Sequence, residues 1–124
     1  MAPNSQAPDD RIEQELRRGV IVLAALSRLG NWQYGYSLRQ SLAERGLDIE
    51  EGTLYPLLRR LESQDLLVSE WRIEEGPPRR YYKLSPAGRA LYARLVGNWN
   101  GLVDIVADLV ADDGMGPKRR KDTK

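Results

Sequence analysis

One stretch, GTLYPLLRRLE at residues 52–62, constrains the fold strongly because it combines helical spacing with a proline. After its first leucine, further leucines follow at offsets of three, four and seven, which places all of them on one helix face. Proline is tolerated in the first turn of a helix, where the amide groups have no intrahelical partner. The sequence therefore predicts a helix that begins near residues 51–53, with Thr53 as its N-cap.

Two further helices are predicted before this one, over residues 10–29 and 35–45. Apolar residues recur at helical spacing in both, and Gly30 and Gly46 follow their ends. Three helices joined by short connections are typical of a helix-turn-helix arrangement. Residues 1–9 are rich in proline and polar residues, and we expect them to be disordered.

The periodicity changes after Gln64, which indicates a β-hairpin. Residues 66–74 alternate in the manner of a strand, EGPP at 75–78 has the composition of a turn, and 79–84 form the second strand. The fold class predicted is mainly α with a β-hairpin, a winged helix-turn-helix over residues 10–84.

A long helix is predicted over residues 85–111, with Ser85 as the cap and Pro86 in the first position. Its apolar residues step by three or four, as in a helix–helix seam. A second copy of the chain would cover this seam, so we expect a homodimer. The predicted dimerisation residues are Leu16, Val20, Leu91, Leu95, Trp99, Leu102, Val106 and Leu109.

Composition narrows the function classes. The 124 residues include no cysteine and no histidine, which removes thiolate metal sites and the commonest general base. We find no catalytic or metal-binding set in the sequence, and we expect no cofactor and no enzyme activity. No apolar run approaches the length of a membrane span, and the N-terminus does not look like a secretory signal. We therefore expect a cytoplasmic protein.

The charge is unevenly distributed. The whole chain carries a net charge of +1, but residues 117–124, PKRRKDTK, contribute five cations and one anion, a net charge of +4. The rest of the chain is thus close to −3, from +1 minus +4. Any basic surface in the folded part must be local. We expect the tail, 112–124, to be disordered, and it either adds non-specific DNA affinity or is simply solvated.

The third helix and the hairpin are the candidates for DNA recognition. The N-terminal part of such a helix fits the major groove, and a basic hairpin can follow the backbone or enter the minor groove. The side chains that can reach DNA carry hydroxyl or cationic groups. They are Tyr36, Ser37, Thr53, Tyr55, Arg59, Arg60, Arg79, Arg80 and Lys83.

Each of these assignments has a structural alternative. Tyr55 could pack inside the protein, Tyr36 could be buried against the first helix, and the arginines could cover a solvated face. One of the adjacent Tyr81 and Tyr82 is expected in the core, because neighbouring residues of a strand point to opposite faces.

The sequence resembles the PadR family of bacterial transcriptional regulators over about residues 14–100. The resemblance lies in RRGVIVLAALSRL, YGYSLRQSL, GTLYPLLRRLE and PPRRYYKLSPAGR, in this order. It is similar to the shorter branch, which has a single C-terminal helix. The sequence departs from the family pattern at Asp65, where the family usually has glycine after the recognition helix.

The resemblance implies a bacterial protein that associates with the nucleoid when bound to DNA. It implies that Tyr55 contacts DNA, that the C-terminal helices form a dimer, and that the dimer represses genes at inverted-repeat operators. In some PadR-like regulators an equivalent tryptophan stacks on flat aromatic effectors, and Trp99 is similar in place. The alternative is that Trp99 belongs only to the dimer core.

Two functional hypotheses follow. The first is a homodimeric, sequence-specific DNA-binding repressor that a planar aromatic small molecule releases from double-stranded DNA. The second, favoured by the near-neutral charge of the folded part, is a winged-helix protein–protein interaction module without specific DNA binding.

Overall fold

The computed structural model describes residues 8–115, which form four helices and three strands. The elements are α1 (Pro8–Ser27), β1 (Gln33–Tyr34), α2 (Gly35–Glu44), α3 (Glu51–Ser63), β2 (Leu67–Arg72), β3 (Arg79–Leu84) and α4 (Pro86–Ala111). The prediction of a mainly α fold with a β-hairpin and a long C-terminal helix is confirmed. The helix α1 begins two residues before the predicted start, and residues 1–7 and 116–124 of the predicted tails lie outside the described range.

The chain divides into two compact units, one ending at Tyr92 and the other beginning at Ala93. The division falls within α4, so the first turns of that helix belong to the unit that contains the hairpin.

The N-terminus of α3 differs from its prediction. The N-cap is Glu50, whose carbonyl accepts the amide of Thr53 at 3.0 Å, so Thr53 as the N-cap is wrong. Pro56 is the sixth residue counted from Glu51, and it lies beyond the first turn. The amide it lacks would have bonded the carbonyl of Gly52. Because Gly52 is exposed, water can solvate that carbonyl, and the helix tolerates the proline.

The core of the first unit is built on the leucine face of α3. All four leucines of that face are buried, as the spacing predicts. They pack with apolar residues from the end of α1 and the turn after it, from α2, from the link before α3 and from the sheet. These residues are Ala25, Leu26, Leu29, Leu38, Leu42, Ile49, Leu67, Tyr82 and Leu84.

A three-stranded antiparallel sheet with the order β1-β3-β2 forms within the described range. The hairpin of β2 and β3 is confirmed, with Trp71 opposite Arg80 and Arg72 opposite Arg79 near its tip. The strand β1 was not predicted, since its two residues are too few to show an alternating pattern. Tyr82 is buried and Tyr81 is half-buried, which confirms that one of the pair lies in the core.

The junction between the hairpin and α4 confirms Ser85 as a cap. Its hydroxyl accepts the amide of Gly88 at 2.9 Å and donates to the carbonyl of Asp65 at 2.7 Å. A Cβ atom on Gly88 would lie 2.0 Å from the carbonyl oxygen of Leu66, so no side chain fits at this position. One hydroxyl thus joins the turn after α3 to the first turn of α4.

The turn after α3 explains why glycine would suit position 65. Asp65 has a φ of 64°, in the left-handed region that glycine adopts most readily. The amide of Leu66 bonds back to the carbonyl of Leu61 at 3.0 Å, which closes the end of the helix. Aspartate is one of the few other residues that visit this region, so the departure from the family pattern leaves the turn intact.

We expect Asp65→Gly to raise the free energy of unfolding by about 1 kcal/mol, because it removes the left-handed penalty. Asp65→Val should lower it by at least about 1 kcal/mol, since a β-branched residue tolerates this region poorly. Urea denaturation at a fixed protein concentration measures both. The control is Ser63→Gly, in the last helical position, which should destabilise the protein. A destabilising Asp65→Gly would contradict the strain argument.

Candidate nucleic-acid interface

A groove of about 300 Å³ lies between the start of α2, the helix α3 and the hairpin. It contains five of the nine side chains predicted to reach DNA: Tyr36, Tyr55, Arg59, Arg79 and Arg80. Tyr34, Gly35, Leu58, Trp71 and Tyr82 complete the lining. The groove therefore combines aromatic rings with arginines, a composition that suits the sugars and phosphates of a nucleic acid.

Tyr55 is held against the start of α2 by a close approach to Gly35. A Cβ atom at position 35 would lie 2.6 Å from Cε1 of the Tyr55 ring, so glycine makes room for it. Burial raises the pKa of Tyr55 above its ordinary value, and the neighbouring Glu51 adds to the shift. Its hydroxyl therefore keeps its proton at neutral pH and can donate a hydrogen bond. The ring is half-buried, between the two predicted alternatives.

Two arginines of the groove are exposed. Arg59 lies four residues after Tyr55, one helical turn along α3. Arg79 is at the first position of β3, with its guanidinium carbon 4.6 Å from the centre of the Tyr34 ring. Both side chains can present positive charge to a phosphate backbone.

Tyr36 is 53% exposed, so its predicted alternative, burial against the first helix, is wrong. The ring stacks beside that of Tyr34, with their centres 6.3 Å apart. Tyr36 belongs to the first turn of α2, which places its side chain at the edge of the groove.

Arg80 lines the groove but is bound within the protein. Its Nη2 donates to Oε1 of Glu62 at 2.7 Å, and its Nε donates to the hydroxyl of Ser69 at 3.2 Å. The rings of Trp71 and Tyr82 lie 5.6 and 5.7 Å from its guanidinium carbon. Its charge is thus paired with a carboxylate.

The other four predicted side chains lie outside the groove. Thr53 and Arg60 line a second hollow, of about 470 Å³, on the side of α3 that faces α1. Ser37 donates its hydroxyl within the chain, with Oε1 of Gln33 at 2.9 Å and the carbonyl of Tyr34 at 3.0 Å. Lys83 has its Nζ 5.0 Å from the centre of the Trp32 ring.

Trp71 was not among the predicted DNA contacts. It is 63% exposed and lines the groove from the hairpin. Strand alternation places this residue on the same face as Leu67 and Ser69, but the packing of that face beside α3 has no signal in the local pattern.

Residues 8–115 contain no group of three or more acidic side chains, cysteines or histidines placed to hold a metal ion. None of the helices in this range is long and apolar enough to cross a membrane.

Three helices followed by an antiparallel hairpin, with the groove between them, define a winged helix-turn-helix DNA-binding protein. Residues 22–94 match the family model described as the transcriptional regulator PadR-like family. Because this match spans more than half of the sequence, the chain belongs to the PadR family of transcriptional regulators.

Individual relatives agree with this assignment. The chain is 44% identical over 78 residues to transcriptional regulator Rv3488 of Mycobacterium tuberculosis, covering 62% of this chain and 73% of that protein. A PadR family transcriptional regulator from Eggerthella lenta has 45% identity and a TM-score of 0.75, with 82% of this chain and 94% of that one covered. A transcriptional regulator from Clostridium thermocellum has 27% identity and a TM-score of 0.71, with 77% and 98% covered. These relatives are regulators rather than enzymes.

Proposed function

We propose that the protein is a homodimeric repressor that binds an inverted-repeat operator in the cytoplasm and is released by a planar aromatic effector. The observation that carries the DNA-binding part is the groove, which gathers Tyr36, Tyr55, Arg59 and Arg79 between α3 and the hairpin. A protein that regulates transcription as its relatives do needs a surface of this kind.

In this proposal α3 enters the major groove. Arg59 reaches a phosphate or a guanine edge, while the hydroxyls of Tyr36 and Tyr55 donate to phosphate oxygens. Arg79, at the tip of the hairpin, follows the backbone or the adjacent minor groove. The net charge of about −3 outside the tail makes this local cluster the main source of attraction in the folded part.

The predicted side chains outside the groove have other proposed roles. Thr53 and Arg60 are exposed on the opposite side of α3, and we assign them contacts to the far wall of the major groove. Ser37 and Lys83 are held by contacts within the chain, and we assign them support of α2 and of the hairpin.

We expect Arg59→Ala and Arg79→Ala each to weaken operator binding by about tenfold. Each should also reduce the slope of log affinity against log salt by about 1, because one phosphate contact is lost. Fluorescence anisotropy with DNA from the promoter of its own gene measures both. The matched control is Arg45→Ala, an exposed arginine at the end of α2 that does not line the groove. Binding without salt dependence, or unchanged in both groove variants, would instead favour the protein–protein interaction module.

The apolar face of α4 supports the homodimer. Within the second unit, Trp99, Leu102, Val106 and Leu109 are exposed by 42, 55, 51 and 64%. Leu95 of the same unit is partly exposed. In the first unit Leu16 of α1 is 78% exposed, and Val20 and Leu91 are partly exposed. Single monomers in water rarely leave so continuous an apolar stripe uncovered. A symmetric pair would set two α3 helices against half-sites one helical turn, ~34 Å, apart.

Leu102→Asp should convert the dimer into a monomer, because it places a charge in the proposed seam. Light scattering after size exclusion reports the mass. The control is Asn100→Asp, which adds the same charge on the opposite side of α4. A dimer that persists in Leu102→Asp would contradict the proposed seam.

Trp99 is the proposed effector contact. The ring is part of the exposed stripe, and Gly97 and Gly101 stand two residues away on either side. A Cβ atom on either glycine would meet no heavy atom of the described residues within 4 Å. This open space, beside a second copy of Trp99 in the dimer, would admit a flat ring between two indoles.

Planar aromatic dyes should quench the fluorescence of Trp99 in a protein that carries Trp32→Phe and Trp71→Phe. The same dyes should release operator DNA from the unmodified protein. Trp99→Leu, which keeps an apolar residue in the seam, should remain dimeric and keep its DNA when the dye is added. Dye-dependent release from Trp99→Leu would contradict the proposed site.

A further inference from the structure

Three side chains connect the end of α3, the proposed recognition helix, to the hairpin of β2 and β3, which we call the wing. Oε1 of Glu62 accepts from Nη2 of Arg80 at 2.7 Å, and its Oε2 accepts from the hydroxyl of Ser69. Nε of Arg80 donates to the Ser69 oxygen at 3.2 Å, which closes the ring. We call Glu62, Ser69 and Arg80 the wing triad.

The wing triad acts on the outer half of the hairpin. Glu62 lies in the last turn of α3, while Ser69 and Arg80 come from the two strands of the wing. The last residue pair before the tip of the hairpin is Arg72 with Arg79, and Arg80 belongs to the next pair. The turn at 64–66 fixes only the base of the hairpin relative to α3. The triad therefore holds the part of the hairpin nearer the tip to the same helix.

Each member of the triad is hydrogen-bonded to the other two inside the protein. Both carboxylate oxygens of Glu62 have a partner, and the hydroxyl of Ser69 both donates and accepts. The side chains of Glu62 and Arg80 are 27 and 35% exposed, so water screens the ion pair only in part. The rings of Trp71 and Tyr82 flank the guanidinium within the range of a cation–π interaction.

This geometry differs from that of Arg79, the adjacent arginine. Arg79 is exposed and sits over an aromatic ring, and no carboxylate within residues 8–115 forms an ion pair with it. A phosphate at Arg80 would have to approach Glu62 as well, and the two anions would repel each other.

We propose that Arg80 is a positioning residue, which supports operator binding by fixing the angle between the wing and α3 through Glu62 and Ser69. Arg59 and Arg79 then make the cationic contacts, and the exposed ring of Trp71 packs on the sugar–phosphate backbone. The inference rests on the proposed DNA-binding function.

The decisive variant is Glu62→Ala, because the two roles of Arg80 predict opposite signs. If Arg80 binds phosphate directly, removal of the nearby anion frees its charge and strengthens DNA binding. If Arg80 positions the wing, the same change loosens the hairpin and weakens binding. We expect binding about tenfold weaker than that of the unmodified protein, a fold-change in the range measured when coupled pairs are broken.

The matched control is Glu70→Ala. Glu70 also lies on the wing and pairs with an arginine, Arg72, at 2.6 Å, and within the described range it forms no hydrogen bond or ion pair with α3. Its removal subtracts the same negative charge, so it should leave operator affinity unchanged or raise it slightly. Arg80→Ala and Glu62→Ala/Arg80→Ala should each bind about as weakly as Glu62→Ala, because each breaks the same triad. The salt slope of Arg80→Ala should stay that of the unmodified protein, in contrast to Arg79→Ala.

Hydrogen exchange of the protein without DNA gives a readout independent of the operator. Amides of β2 and β3 near the tip should exchange at least about tenfold faster in Glu62→Ala than in Glu70→Ala. If Glu62→Ala does not fold, Glu62→Gln, which keeps the shape and removes the charge, takes its place in both measurements.

Stronger DNA binding by Glu62→Ala, a salt slope reduced by about 1 in Arg80→Ala, or unchanged exchange of the wing would each overturn the proposal. Absence of operator binding by the unmodified protein would refute the proposed function itself. In that case the exchange measurement alone decides whether the triad holds the wing.

Discussion

The burial of the leucine face of α3 is the constraint on which the rest of the structure depends. Because Leu54, Leu57, Leu58 and Leu61 must leave water together, the rotation of the helix about its axis is fixed. The opposite side, with Arg59, Arg60 and the exposed first turn, then has to face outward. The surface that a DNA-binding protein needs is in this sense a by-product of core packing.

Most of the fold could be predicted from periodicity and local residue chemistry. The helical spacing in α3, the alternation in the hairpin and the Ser85-Pro86 start of α4 each reflect interactions between residues close in sequence. The N-cap of α3 was predicted wrongly, because Pro56 was assumed to lie in the first turn of the helix. The helix in fact begins earlier, since the carbonyl of Gly52, which the proline leaves without an intrahelical partner, is exposed to water. The short strand β1 forms only because it pairs with Tyr81 and Tyr82 of β3. Such pairing between residues distant in sequence leaves no local signal.

The candidate site was harder to predict, because residue type does not reveal whether a charge is already paired. The sequence presents Arg79 and Arg80 as equivalent neighbours, yet the strand pleat turns them to opposite faces, and Glu62 from α3 reaches the second one. Arg59 and Arg60 similarly separate to the two sides of one helix. Trp71 gained its place in the groove from the packing of the wing beside α3, which no local pattern encodes.

The hydroxyl of Ser85 has a mechanical consequence. The hydroxyl bonds the carbonyl of Asp65 and the amide of Gly88 at once, and the amide of Ser85 also donates to the carbonyl of Leu66 at 3.0 Å. The turn after α3 and the first turn of α4 are therefore joined at this residue. Because the carbonyl oxygen of Leu66 leaves no room for a Cβ atom at Gly88, the two turns are packed too closely to shift far relative to each other. A rearrangement that tilts the start of α4 must therefore either move the end of α3 with it or break the hydrogen bonds of Ser85.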